Sequence, residues 1–84
     1  MPARSVVIRA EGGAHARPVA ELVRLALAHE GAVALTTAEG RTVDLGSVLA
    51  VMDLALAPGD EIVLSADGPG AERLLAAMAH VLDG

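Results

Sequence analysis

Along this chain the spacing of apolar residues switches repeatedly between every second position and every third or fourth, and glycine or proline closes each run early. Such switching specifies short strands interleaved with short helices. Val6 to Ile8 is a β-branched run ended by Glu11-Gly12-Gly13, which predicts a strand. From Val19, the residues Val19, Leu22, Val23, Ala26 and Leu27 form a helical stripe of about three turns, with Glu21 and Arg24 on the other face. Gly31 suits the position past its end, and His29, in its last turn, would complement the helix's negative pole.

Ala32 to Thr37 alternates through Val33, Leu35 and Thr37, Ala38-Glu39-Gly40 turns the chain, and Arg41 to Leu45 alternates again, which predicts a hairpin. Gly46-Ser47 opens the apolar run Val48 to Leu56, expected to be a helix capped by Ser47. The run is more apolar than one buried face can use, so part of Val48, Leu49 and Met52 should stay exposed and mark a partner surface. Pro58-Gly59-Asp60 precedes a strand around Ile62-Val63-Leu64, and Asp67-Gly68-Pro69-Gly70 ends it. The last helix carries the stripe Ala71, Leu74, Leu75, Met78, Ala79 and Leu82, with His80 one position off it as a boundary or surface residue. The order strand, helix, strand, strand, helix, strand, helix is α+β, and one antiparallel sheet with the helices on one face satisfies it economically.

Composition narrows the function. Eighty-four residues make one small domain, and with no Phe, Tyr or Trp its core must be aliphatic, which excludes a deep aromatic-lined pocket. Cysteine is absent, so there is no disulfide or thiol chemistry, in keeping with a reducing compartment. A net charge of −5 argues against nucleic-acid binding, and the N-terminal run cut by Arg9 is neither a signal peptide nor a membrane span.

The chemistry concentrates in Gly12-Gly13-Ala14-His15-Ala16-Arg17-Pro18, where a strand hands over to a helix. A histidine ring nitrogen unprotonated near neutral pH is a nucleophile that requires no separate base. Arg17 supplies a planar fork of donors for phosphate oxygens, and the helix start offers free N–H groups to the same anion. Pro18 suits a first helical turn and biases Arg17 away from helical backbone, leaving either His15 or Arg17 as the N-cap. A metal held by His15, His29 and His80 lacks ligand-like spacing, and no metal or cofactor is expected.

The pattern Gly-x-His-x-Arg-Pro resembles the active-site signature of the HPr family, the histidine-containing phosphocarriers of the bacterial phosphoenolpyruvate:sugar phosphotransferase system. A second stretch, from Gly40-Arg41 through Leu45-Gly46-Ser47-Val48-Leu49-Ala50-Val51-Met52 to Leu54, is similar to that family's second signature. The resemblance covers essentially residues 1–84, read as a single HPr-like domain. It implies a βαββαβα open-faced sandwich with a four-stranded antiparallel sheet and three helices on one face. It further implies a cytoplasmic, monomeric carrier that is no independent catalyst. His15 would accept a phosphoryl group from phospho-enzyme I and pass it to enzyme II components for sugar uptake. Arg17 would be the phosphate-stabilising partner, and Ala16, Ala20, Val48, Leu49 and Met52 fall at docking positions.

Ser47 matches the family's regulatory phosphorylation site, which would bring in an HPr kinase/phosphorylase and a transcriptional regulator as partners. Phosphate there would sit on a helix's positive end while placing charge in the docking patch. Leu27 and Ala50 occupy positions that are often basic in the family, leaving Arg24 as the docking cation. This departure keeps open a nitrogen-regulatory or dihydroxyacetone-kinase branch, or a regulatory binding module in which His15 never turns over.

Overall fold

The computed structural model describes residues 2–9 and 16–83, the side chains of Ala16 and Arg17 excepted. Strands β1 (Ala3–Val7), β2 (Val33–Thr37), β3 (Thr42–Asp44) and β4 (Glu61–Ala66) form one antiparallel sheet in the order β1-β4-β2-β3. Helices α1 (Ala16–Leu27), α2 (Val48–Met52) and α3 (Ala71–Asp83) cover one face, which is the expected α+β open-faced sandwich.

Period two sets the inner face of the sheet. Ile62, Leu64 and Ala66 of β4 are buried while Glu61 and Val63 face out, and Val33 and Leu35 of β2 are buried. Leu64 is paired between Arg4 of β1 and Leu35 of β2, which is paired in turn with Val43 of β3, so one row of side chains crosses the sheet under the helices. Against it pack Val19, Leu22, Val23 and Ala26 of α1, Val51 of α2, and Ala71, Leu74, Leu75, Met78 and Leu82 of α3. Each fully buried aliphatic side chain contributes roughly 1.5–3 kcal/mol. No polar side chain is buried among the described residues.

Several boundaries differ from expectation. β1 begins at Ala3 rather than Val6 because β4 reaches far enough to pair it, and Ile8 lies beyond the strand although wholly buried. α1 begins at Ala16, so Arg17 is helical in spite of Pro18, whose missing N–H falls in the first turn, where it needs no intrahelical acceptor. Leu27 is 71% exposed rather than in the core, since α1 ends there and the side chain projects beyond the sheet's cover. Ala79 is only half-buried.

α2 stops at Met52 instead of reaching Leu56, with Asp53 as C-cap and Ala55 at φ 52 reversing the chain so that Leu56 turns back into the core. His29 lies past the end of α1, and its Nε2 donates to the Asp67 carbonyl oxygen at 2.5 Å. The Asp67 N–H in turn donates to the Ala32 carbonyl at 2.9 Å, clasping the α1–β2 and β4–α3 connections together. The histidine is spent on this tertiary clasp and not on the helix pole.

Candidate functional site

α1 opens directly after His15 in the chain. Its first turn holds Arg17 and Pro18 and no acidic residue, so no carboxylate within that turn offsets the positive end of the helix dipole. The N–H groups of Ala16 and Arg17 lack intrahelical acceptors, and Pro18 has none to satisfy. His15 itself lies outside the described residues, as do Gly12, Gly13 and Ala14, and so do the side chains of Ala16 and Arg17.

The second expected element is α2, packed beside α1. Ser47 has the extended backbone of an N-cap, φ −119 and ψ 110, and its Oγ accepts the Ala50 N–H at 3.2 Å. Gly46 precedes it because Asp44 Oδ1 takes the Gly46 N–H at 2.7 Å, turning β3 sharply into the helix. From this cap α2 divides its side chains by helical spacing. Val51 goes wholly into the core, whereas Val48, Leu49 and Met52 are 39%, 81% and 43% exposed. Positions i, i+1 and i+4 share one side of a helix, so these three form a continuous apolar surface beginning one residue from the Ser47 hydroxyl.

On α1, Ala20 and Arg24 are exposed one turn apart. Arg24 is not a free cation. Its Nε donates to Glu21 Oε2 at 3.1 Å and its Nη2 to Glu21 Oε1, a bidentate pair. Hydrogen bonding to the guanidinium, reinforced by its charge, holds the Glu21 carboxyl below the usual glutamate range, and the same contact raises Arg24 above its ordinary value.

The apolar stripe alone counted Leu27 with the core, and the structure leaves it exposed on this surface. A Leu27 methyl lies beside Gly46, and Leu27 and Ser47 line one cleft of about 400 Å³ with Ala26, His29 and Asp44. The signal was present in the sequence, because Leu27 is the last residue of its stripe and has no apolar partner a turn further on.

A family model described as the PTS HPr component phosphorylation site matches residues 2–83. The chain belongs to the HPr family. Among curated relatives, the phosphocarrier protein HPr of Streptomyces coelicolor is 39% identical over 98% of this chain and 88% of its own length. The HPr of Vibrio cholerae is 30% identical over 95% of this chain and 93% of its own. The HPr crystal structure from Bacillus anthracis superposes with a TM-score of 0.88 at 28% identity, over 96% of this chain and 95% of that one. The protein is therefore a phosphocarrier of the phosphotransferase system.

Proposed function

We propose that this HPr-family chain, read as one domain over residues 1–84, carries a phosphoryl group on His15. An imidazole nitrogen attacks phosphorus on phospho-enzyme I, the N–P bond forms as the bond to enzyme I breaks, and an enzyme II component takes the group in the reverse sense. Arg17 and the open N–H groups of α1 neutralise the phosphoryl oxygens. The observation that carries the reading is the start of α1 at Ala16, immediately after His15, with a first turn free of carboxylates. One arginine and a helix pole give moderate stabilisation, which suits a group that must be held and then released. On this reading the protein needs no metal or cofactor and acts in the cytoplasm as a monomeric carrier rather than an independent enzyme.

Ala16, Ala20, Arg24, Val48, Leu49 and Met52 are the docking positions on this reading, and the exposed apolar side of α2 supports them. Ser47 is the regulatory site for an HPr kinase/phosphorylase, because a phosphate there would stand beside Val48 and Leu49 and set a charge within the apolar contact. Incubation with phosphoenolpyruvate and a cognate enzyme I should give acid-labile phosphate on the wild type and none on His15→Ala. Equal labelling of the variant would refute the proposal. Repeating the transfer with sugar-uptake, nitrogen-regulatory and dihydroxyacetone-kinase acceptors identifies the branch.

A further inference from the structure

The two outer strands of the sheet are protected unequally. β3 has three residues and lies against α2. β1 has five, and its ladder parity can be read from its ends. The Pro2 carbonyl accepts the Ala66 N–H at 3.1 Å, and the Ile8 N–H donates to the Asp60 carbonyl at 2.9 Å. With Arg4 opposite Leu64 and Val6 opposite Ile62, the even-numbered residues bond to β4 and the odd-numbered ones point their N–H and C=O groups outward. Arg9 confirms the direction, since its N–H donates to the Leu82 carbonyl at the end of α3 at 2.8 Å. Among the described residues the backbone groups of Ala3, Ser5 and Val7 have no partner.

A cleft of about 430 Å³ lies along this edge, between β1 and α3, with Arg4, Ser5, Val7, Arg9, His80 and Asp83 in its lining. Arg4 makes no ion pair among the described residues. Among the described residues Arg9 meets Asp83, at 3.7 Å with both side chains about 70% exposed, a pairing worth little in water. A chain of net charge −5 thus presents two available guanidiniums beside an open strand edge.

We propose that the β1 edge takes up an extended acidic segment of a partner protein, which pairs with Ser5 and Val7 as a fifth strand and sets carboxylates against Arg4 and Arg9. Main-chain bonds supply affinity in this mode and side-chain contacts supply selectivity. Positions 4 and 9 are roughly 16 Å apart along an extended chain, so the segment has about six residues with acids near both ends. A second copy of this chain lacks the matching charge, because antiparallel pairing of two such edges about Ser5 sets Arg4 opposite Val6 and residues 2–9 carry no carboxylate.

The test is a capped hexapeptide with terminal glutamates and a central Val-Thr-Val-Thr run, added to the ¹⁵N-labelled full chain. Amide exchange at Ser5 and Val7 should slow at least tenfold at saturation. A lysine-ended peptide, or the acidic peptide N-methylated at alternate residues, should give no protection. Arg4→Ala, which breaks no ion pair among the described residues, should weaken binding at least threefold while the far-ultraviolet spectrum is unchanged. Three outcomes overturn the proposal. They are shifts at the arginine side chains with no slowing of amide exchange, protection that rises with protein concentration in the absence of peptide, and no change at all.

Discussion

Gly31 approaches Asp67 so closely that a Cβ on Gly31 would stand 2.6 Å from the Asp67 carbonyl oxygen. Gly31 also lies at φ 125, where side chains are strained, and Gly68 faces the Glu30 carbonyl in the reciprocal way at 2.5 Å. Gly31→Ala should therefore destabilise the fold by about 2 kcal/mol or more in urea titration. Gly40→Ala, at φ 91 with open space around it, should cost only about 1 kcal/mol. Equal losses at the two sites would mean that the clasp is looser than the structure has it.

Ser47→Ala removes the acceptor of the Ala50 N–H and should cost about 1 kcal/mol. Ser47→Asp keeps an acceptor and should recover most of that stability. If the aspartate variant also binds enzyme I less tightly, capping and docking will have been separated by a single side chain.

The same substitution four residues apart should give opposite results. Leu45 is wholly buried, and Leu45→Ala should lose about 3 kcal/mol of stability in thermal or urea unfolding. Leu49 is 81% exposed, and Leu49→Ala should shift stability by no more than about 0.5 kcal/mol while lowering the rate of phosphoryl transfer from enzyme I. Unchanged transfer would remove α2 from the docking surface.

The Glu21 carboxyl titrates lower in the folded chain than unfolded because Arg24 bonds to its ionised form. The sign follows: the pair supports the fold above the usual glutamate value of about 4.3, and that support disappears as pH falls through the lowered folded value. A carbon-detected carboxyl titration should show the Glu21 midpoint rising in Arg24→Ala. An unmoved midpoint would mean that the pair does not form in solution.

Elements with one clear period were legible in the sequence. The stripe from Ala71 to Leu82 has one helical solution and is met at every position but the half-buried Ala79, and the run Ile62-Val63-Leu64, bounded by turns, lies in β4 as expected. The end of α2 was not legible, because Val48 to Leu56 is apolar throughout and composition alone cannot say where the backbone turns. Ala55 with positive φ makes that turn without the glycine that would have announced it. The His29 clasp was hidden for a different reason, since its partner is a main-chain carbonyl thirty-eight residues away. For the site, the Ser47 cap and the exposed side of α2 were legible because both are local, whereas the neutralisation of Arg24 by Glu21 was missed although the i, i+3 spacing was in view.

The order β1-β4-β2-β3 places β4 between strands made much earlier. A nascent chain emerging from the ribosome can close the β2–β3 hairpin by itself, but β1 has no neighbour to pair with until Ala66 has left the exit tunnel. Until then the N-terminal strand waits without its partner, and the sheet can close only once its interior strand has been made.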